Sequence, residues 1–317
     1  MRVGLIDVDG HNYPNLVLMK LSAWHKAQGD HVEWYQGLIS GHMDKVYMSK
    51  VFSFTPDYMD VIDADEVVRG GSGYHISVGD GKEVWRGISE SLPYEIEHTR
   101  PDTELYGITD TAYGFLTRGC PRRCGFCIVK NKDGVASRKV ADLSEFWHGQ
   151  KNIELLDPNI LASPDRGDLL DSLIDSGAQV NFNQGLDARL LTEEIVEKVA
   201  RIRIPNLITF AWDTQKDEER VLQGLRMWLG TYKKSRHHTQ VYVLCNYDTD
   251  FDYDLYRVET LKSMGLSPFV MIYNKQSLKR GDKLFALANY ANNRFYFHAF
   301  ESYKDYLRGI KKKEWIE

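Results

Sequence analysis

Residues 113–127 read YGFLTRGCPRRCGFC and join a strand pattern to three cysteines within eight positions. The apolar start of this stretch predicts a buried strand that ends at Thr117. Cys120, Cys124 and Cys127 follow the strand at C-x3-C-x2-C spacing. Three thiolates on one tight loop can ligate three irons of a 4Fe-4S cluster and leave the fourth iron open to another ligand. The stretch therefore predicts a metal-binding loop at the carboxyl end of a strand.

Two other uses of the three cysteines remain open from the residues alone. Structural zinc is normally bound by four ligands, so a zinc site would need a histidine or Cys245 from a distant part of the chain. No fourth ligand lies at zinc-finger spacing. A disulfide framework would leave one of the three neighbouring cysteines unpaired, and four cysteines in 317 residues suit a reducing compartment. We therefore favour the iron–sulfur cluster.

Strand and helix patterns alternate from the cysteine segment to about residue 300. Apolar runs of strand length lie at residues 113–117, 153–156, 179–182, 207–212, 241–244, 269–272 and 294–300. Helical spacing recurs between them at residues 143–150, 167–176, 192–201, 217–228, 254–264 and 282–291. This alternation predicts an α/β fold with a full or partial (βα) barrel, in which functional side chains lie at the carboxyl ends of the strands.

Residues 1–95 carry a second, smaller α/β pattern. Its strand patterns lie at residues 3–8, 31–35, 44–49 and 66–69, and a helix pattern follows the first of them. This order predicts a small Rossmann-like domain with a parallel sheet. Residues 96–110 have no sustained period and are expected to link this domain to the barrel domain, which takes residues 111–317 with a C-terminal extension.

Composition and charge argue against several classes of protein. A chain with 43% hydrophobic and 27% charged residues is typical of a globular protein. The net charge of -5 gives no overall reason to expect nucleic-acid binding. No window is apolar enough for a membrane span, and the N-terminus lacks a signal-peptide pattern. We therefore expect a cytoplasmic protein with no membrane partner.

The cysteine loop resembles the C-x3-C-x-aromatic-C signature of the radical S-adenosylmethionine superfamily. Phe126 occupies the aromatic position, and the loop follows the first strand of the predicted barrel. The resemblance implies a 4Fe-4S cluster on Cys120, Cys124 and Cys127, with Phe126 against the adenine of S-adenosylmethionine. It further implies that the open iron binds the methionine moiety and that reductive cleavage yields a 5′-deoxyadenosyl radical. A reductant such as flavodoxin or ferredoxin is the partner expected for this chemistry.

Polar side chains after the later strands are candidates for binding the cofactor. The resemblance places a contact with its amino group after the second barrel strand, where Asp157 or Asn159 would replace the family's Gly-Gly-Glu form. The densest group follows the third strand, where Gly185 permits close approach of a ligand to the backbone. The other candidates at these strand ends are Asn183, Gln184, Asp187, Arg189 and Asp213. Each Asn or Asp position also suits a helix cap or a turn.

Cys245 ends an apolar strand pattern far from the other three cysteines. An isolated cysteine commonly behaves as a small buried hydrophobe, and this is the interpretation we favour. A strand end in a barrel faces the active site, however, so a radical or nucleophilic role for Cys245 is the alternative.

The N-terminal pattern loosely resembles the cobalamin-binding domain of one radical S-adenosylmethionine subclass. Residues 9–11, Asp-Gly-His, are similar to the segment whose histidine binds cobalt. Ser49 and residues 70–71, Gly-Gly, are similar to later segments of that domain. Pro14 departs from the family's glycine, fixes φ and removes a backbone donor, and the sheet lacks a clear fifth strand. We expect a degenerate domain that does not bind cobalamin, in which His11 is a cap or surface residue; cobalamin binding is the alternative.

Three functions remain open. The first is a radical enzyme that modifies an unidentified substrate by hydrogen abstraction. Its variant is a cobalamin-dependent radical methylase. The third, of another class, is a non-catalytic iron–sulfur protein that binds a partner or senses redox state. All four cysteines lie between residues 120 and 245, so we expect a single cluster.

Overall fold

The computed structural model describes residues 1–79, 82–87, 91–232 and 238–310. The chain separates into two compact units, Met1–Pro158 and Asn159–Glu317. The first unit contains the N-terminal strands, the stretch expected to act as a linker, and the cysteine loop. The domain boundaries expected at residues 95 and 111 stay predictions.

A parallel sheet of four strands forms the N-terminal part of the first unit. Its elements are β1 (Arg2–Asp7), α1 (Leu16–Ala27), β2 (His31–Trp34), β3 (Met43–Ser49) and β4 (Ala64–Gly70). The strands pair in the order β2-β1-β3-β4, and every pair is parallel. This arrangement confirms the parallel sheet that the strand and helix patterns predict here.

Both faces of the N-terminal sheet are covered, because side chains alternate along each strand. Val3 and Leu5 of β1 pack with Leu18 and Leu21 of α1. The opposite face of β1 carries Ile6, which packs in a second cluster with residues of β3. Full burial of one such aliphatic side chain contributes roughly 1.5–3 kcal/mol, so the two clusters stabilise the sheet from both sides.

The stretch after β4 is packed against this sheet. It begins with α2 (Ser72–His75) and the antiparallel pair β5 (Ile76–Gly79) and β6 (Lys82–Trp85), and α3 (Tyr94–Glu97) follows. Ile96 of α3 joins the cluster that contains Val3 and Leu5. The Trp34 indole donates to the Leu105 carbonyl at 3.2 Å. The stretch expected to act as a linker therefore contributes to the core of the first unit.

The cysteine segment belongs to the loop that joins two short strands of the first unit. Its elements are β7 (Thr111–Gly114), β8 (Thr117–Arg118), α4 (Val129–Lys132), β9 (Arg138–Lys139) and β10 (Asn152–Leu155). Strands β7 and β10 are parallel, whereas β8 and β9 form an antiparallel ribbon. The three cysteines lie between β8 and α4.

The second unit is a series of strand–helix repeats. Its strands are β11 (Gln179–Phe182), β12 (Ile208–Ala211), β13 (Thr239–Cys245) and β14 (Ser267–Ile272). Its helices are α5 (Arg166–Ser176), α6 (Glu193–Arg201), α7 (Glu218–Thr231), α8 (Phe251–Ser263), α9 (Lys283–Asn292), α10 (Arg294–Ala299) and α11 (Tyr303–Gly309). Strands β12, β13 and β14 pair in parallel, and Phe210 of β12 and Val241 and Val243 of β13 are fully buried. The structure therefore confirms an α/β chain with parallel sheets and several βα units.

Two predicted elements are wrong. Residues 294–300, predicted as a strand from their apolar run, instead contain the helix α10. The Asn293 side chain accepts from the backbone N–H groups of Phe295 and Tyr296, and this cap begins the helix. Residues 143–150, predicted as a helix, contain a single 3-10 turn at Leu143–Glu145. Within the described ranges, no helix has both the length and the apolar character needed to cross a membrane.

Candidate functional site

The backbone of the cysteine loop is tightly folded. Gly119 has a φ of +88°, and a Cβ atom at this position would lie 2.1 Å from the Ala136 carbonyl oxygen. Only glycine therefore fits directly before the first cysteine. The Cys120 N–H donates to the Gly134 carbonyl at 3.1 Å, and the Cys127 N–H donates to the Cys124 carbonyl at 3.2 Å. The three cysteines are thus presented by one compact loop.

The three cysteines of the loop have the donor chemistry of an iron–sulfur site. All four cysteines, each within the described ranges, are thiols rather than disulfides, and the three of the loop are half-buried. Thiols that are neither sealed in the core nor oxidised are available as ligands. The side chains of the described residues do not, however, form a group of three or more His, Cys, Asp or Glu placed so as to hold a metal ion. The cluster therefore stays a prediction.

A buried carboxylate fixes the backbone that leads into this loop. Asp157 follows β10, and its side chain is about 95% buried. Its Oδ1 accepts from the Thr117 N–H at 2.6 Å and from the Thr117 hydroxyl at 2.7 Å. Its Oδ2 accepts from the Leu116 N–H at 3.1 Å. Burial raises the pKa of Asp157 to about 6, and these hydrogen bonds oppose that rise.

The contacts of Asp157 give it a role that the sequence analysis did not foresee. We expected Asp157 to contact a cofactor, but both of its oxygens bind the chain 40 residues earlier. The hydrogen bonds join the end of β10 to the residues immediately before Cys120. Asp157 therefore positions the cysteine loop, and a direct contact of its carboxylate with a cofactor stays a prediction.

The second unit contains a cluster of charged side chains at the ends of its strands. Asp187 accepts from the Arg189 Nε at 2.7 Å and the Arg189 Nη2 at 3.1 Å, and the Asn159 amide donates to Asp187 at 3.2 Å. Arg189 also donates to Asp217 at 2.6 Å. Three residues expected to bind the cofactor, Asn159, Asp187 and Arg189, are therefore brought together, with Asp217 as a fourth member. We call these four residues, with Asp213, the acidic cluster.

Asp213 is the member of the acidic cluster whose ionisation is most perturbed. Burial raises the pKa of Asp213 to about 6, while Arg189 and Arg257 act in the opposite direction. Because the cluster contains three carboxylates and one guanidinium, it is net negative when Asp213 is ionised. It therefore favours a ligand that carries positive charge.

The carbonyl ends of β12 and β13 are held by an ion pair that the sequence analysis missed. The fully buried Arg257 donates to the carbonyl oxygens of Trp212 and Leu244 at 2.6 and 2.8 Å. Asp254 pairs with Arg257 at 2.5 Å. The spacing of three residues along α8 signals this pair, but only the folded chain places it under the strand ends. Removing one partner of such a buried pair typically costs about 3–5 kcal/mol.

The remaining predicted site residues lie outside the acidic cluster. Asn183 and Gln184 are exposed, and Asn183 accepts from the Asn181 amide at 3.2 Å. Phe126 is half-buried within the cysteine loop. Gly185 has a φ of +74°, and a Cβ atom there would lie 3.0 Å from the Thr209 carbonyl, so packing within the chain requires this glycine. The roles in cofactor binding stay predictions.

Cys245 is fully buried at the end of β13. Its Sγ lies 3.7 Å from the Val243 carbonyl oxygen. Burial raises the pKa of the Cys245 thiol well above its ordinary value, which disfavours the nucleophilic thiolate. The surroundings favour the buried structural thiol over the catalytic role.

The histidine that resembles a cobalt ligand is engaged with aromatic rings. The His11 ring stacks on Trp34 with centroids 4.2 Å apart, and Tyr106 approaches His11 edge-on at 5.8 Å. The Tyr106 hydroxyl donates to Asp7 at 2.6 Å, so this aromatic group is joined to the end of β1. His11 is exposed, which confirms the expected surface position, and the cap of α1 is provided by Asn15 instead.

The loops after β1 and β3 are joined by hydrogen bonds. The strand order reverses between β1 and β3, and ligands of open parallel sheets bind at such a point. Here Asp9 accepts from the backbone N–H groups of Val51 and Phe52 at 2.5 and 3.3 Å. The Asn15 amide also donates to the Ser49 hydroxyl at 2.9 Å. Asp9, Asn15 and Ser49 therefore bridge neighbouring loops at this position.

No protein-family model matches the chain, and no curated protein matches it. The functional assignment therefore rests on the cysteine loop, the acidic cluster and the chemistry of their side chains.

Replacing Asp157 with alanine should loosen the cysteine loop. The change leaves two buried N–H groups and one hydroxyl without their acceptor, so we expect the free energy of unfolding to fall by about 3 kcal/mol. Urea unfolding monitored by tryptophan fluorescence measures this loss. Hydrogen exchange of the Leu116 and Thr117 amides should accelerate.

Asp60→Ala, at an exposed carboxyl of the same unit, is the matched control and should change stability by less than about 0.5 kcal/mol. Unchanged amide protection in Asp157→Ala would contradict the positioning role.

Replacing Asp213 with asparagine should alter the pH dependence of stability. The raised pKa means that the folded chain binds a proton more tightly than the unfolded chain between the ordinary value of 3.8 and about 6. The protonated Asp213 carboxyl therefore contributes its full stabilisation below pH 3.8, and this contribution is lost as the pH rises through about 6. Asparagine does not ionise, so the stability of Asp213→Asn relative to the natural chain should rise by up to about 3 kcal/mol between pH 4 and pH 7. Chemical unfolding across this pH range measures the difference, with the exposed Asp175→Asn as control. Parallel profiles for all three proteins would show that Asp213 is not perturbed.

Proposed function

We propose that this chain is a radical S-adenosylmethionine enzyme. The observation that carries the proposal is the C-x3-C-x2-C loop, which follows a short strand and is anchored by the buried Asp157. The α/β architecture with parallel strands and βα units supports the full or partial barrel of this superfamily. The substrate is an unidentified molecule from which a hydrogen atom is abstracted.

The residues proposed to hold the cluster are Cys120, Cys124 and Cys127. A 4Fe-4S cluster bound there would supply the electron that cleaves S-adenosylmethionine to a 5′-deoxyadenosyl radical. The chain's own contribution is geometric. Gly119 lets the loop pass close to the Ala136 carbonyl, and Asp157 fixes the preceding residues, so that the three thiols start from a defined backbone.

The acidic cluster supports binding of the cofactor's positive groups. S-Adenosylmethionine carries a sulfonium and an ammonium group, and the three carboxylates of the cluster outnumber its one guanidinium. Arg189 orients two of these carboxylates through hydrogen bonds at 2.7 and 2.6 Å. Asp213 remains beside them with a proton affinity that burial has raised. We propose that Asn159, Asp187 and Asp213 orient the cofactor.

The N-terminal sheet is proposed to serve docking or substrate positioning rather than cobalamin binding. A corrinoid with its nucleotide tail needs an open crevice at the edge of the sheet. The bonds of Asp9 and of the Asn15–Ser49 pair close the position where such a crevice would lie. The stacking of His11 on Trp34 also opposes its use as a cobalt ligand. A cobalamin-dependent methylase is therefore the less favoured variant.

Anaerobic reconstitution tests the proposed cluster. The natural chain should carry about four irons and four sulfides, because it contains one three-thiolate site, and it should absorb at about 400 nm. Replacing Cys120, Cys124 or Cys127 with alanine should abolish this content, whereas Cys245→Ala is the matched control and should retain it. With dithionite and S-adenosylmethionine, the loaded protein should release 5′-deoxyadenosine, which chromatography detects.

Other results of this experiment would contradict the ligand assignment or favour another function of the chain. Iron and sulfide that persist in all three loop variants would contradict the ligand assignment. Stoichiometric zinc in place of iron would identify a zinc site. A full cluster without 5′-deoxyadenosine would identify the non-catalytic iron–sulfur protein.

Addition of hydroxocobalamin during reconstitution tests the N-terminal sheet. We expect no corrinoid spectrum in the protein fraction after desalting, because the crevice between the loops after β1 and β3 is closed by side-chain hydrogen bonds. The cluster content measured in the same sample verifies that the chain is folded. Stoichiometric corrinoid that disappears in His11→Ala would make the radical methylase the leading function.

A further inference from the structure

Positive charge is concentrated around the cysteine loop. Residues 117–139 contain seven Lys and Arg residues and a single acid, Asp133. The rest of the chain has the opposite balance, with 33 Lys and Arg against 44 Asp and Glu. The overall charge of -5 therefore conceals a strongly basic segment at the proposed cluster site.

The fold collects these cations on one short ribbon and its loop. Strand β8 pairs with β9 so that Arg118 lies directly opposite Arg138 and Thr117 opposite Lys139. Directly opposed side chains share a face of the ribbon, and like charges in that position destabilise it. The ribbon therefore bears a local electrostatic cost that a binding role would explain.

Ion pairs within the chain neutralise only part of this charge. Arg118 pairs with Asp133 at 3.2 Å and with Glu97 at 3.6 Å. Lys139 pairs with Asp142 at 2.5 Å. Arg123 and Arg138 are exposed, and Arg138 donates to a backbone carbonyl rather than to a carboxylate. Positive charge thus remains on the surface beside the cysteines.

The position of Arg123 strengthens this interpretation. It lies between Cys120 and Cys124 and has a φ of +51°, in the left-handed region that favours glycine. Its side chain is exposed. Val135, 44% exposed, adds an apolar side chain to the turn before β9. Exposed cations, together with an exposed apolar side chain in the same segment, suit a brief encounter with an acidic protein.

We propose that the cysteine loop and the β8–β9 ribbon form the docking surface for an acidic electron-donor protein of the ferredoxin or flavodoxin type. The proposal rests on the proposed function, because that function requires one electron to reach the three-cysteine site. The donor is oxidised by one electron, and the centre at the cysteines is reduced by one electron. Complementary charge raises the encounter rate, and small transient interfaces are typical of electron-transfer partners.

The test measures binding directly, with an acidic ferredoxin as the probe and the reconstituted full chain as its partner. At about 0.05 M salt, Arg123→Glu combined with Arg138→Glu should weaken the affinity about tenfold. The corresponding double change to glutamine should have a smaller effect in the same direction. The matched control reverses Arg220 and Arg226 to glutamate on the exposed part of α7, which changes the net charge equally, and should leave the affinity within about twofold. At about 0.5 M salt the differences should disappear because the charges are screened.

A second measurement separates docking from the cluster itself. The rate at which the ferredoxin reduces the charge-reversed variant should fall in parallel with the affinity, whereas reduction by dithionite should match that of the natural chain. The docking proposal would be overturned if the charge-reversed variant lost no more affinity than the α7 control, or if the natural chain did not bind the ferredoxin at low salt. Neither result would contradict the proposed function. Tighter binding of a single-stranded oligonucleotide than of the ferredoxin would overturn it in favour of a nucleic-acid surface. A chain that binds no iron would contradict the proposed function and the docking role together.

Discussion

The buried carboxylate of Asp157 is the constraint on which the candidate site depends. It receives three hydrogen bonds from Leu116 and Thr117, two residues that lie 41 and 40 positions earlier in the chain. A buried carboxylate without hydrogen bonds is unfavourable in free energy. These hydrogen bonds therefore hold the end of β10 against the residues before the cysteine loop. Local turn geometry at Gly119 then directs the loop. The position of the thiols follows from a long-range polar contact as much as from their spacing.

The cysteine loop and the acidic cluster carry local charge of opposite sign. In the first unit, cations surround the cysteine loop, and acids compensate only some of them. In the second unit, three carboxylates share one guanidinium at the ends of the strands, and burial leaves Asp213 with a raised pKa. An electron donor with an acidic surface and a cofactor with positive groups would each meet complementary charge.

The N-terminal sheet illustrates why strand order alone does not define a ligand site. Its strand order provides the reversal point at which open parallel sheets bind ligands. The side chains that would face a ligand there, including Asp9 and Asn15, are committed to neighbouring loops. The chemistry of a site therefore has to be inferred from the partners of its side chains and not from the topology of the sheet.

The sequence alone was sufficient for the features that depend on local spacing. It predicted the parallel N-terminal sheet, the βα repeats and most of the helices, because apolar periodicity and capping act over a few residues. It failed for residues 294–300, where an apolar run suggested a strand but the Asn293 cap begins a helix. Only the tertiary structure showed that Asp157 binds the Thr117 backbone, that Arg189 joins Asp187 to Asp217, and that Arg257 closes the ends of two strands. Each of these side chains can serve several partners of similar strength, and the partner it takes is decided by which distant backbone the folded chain brings within about 3 Å.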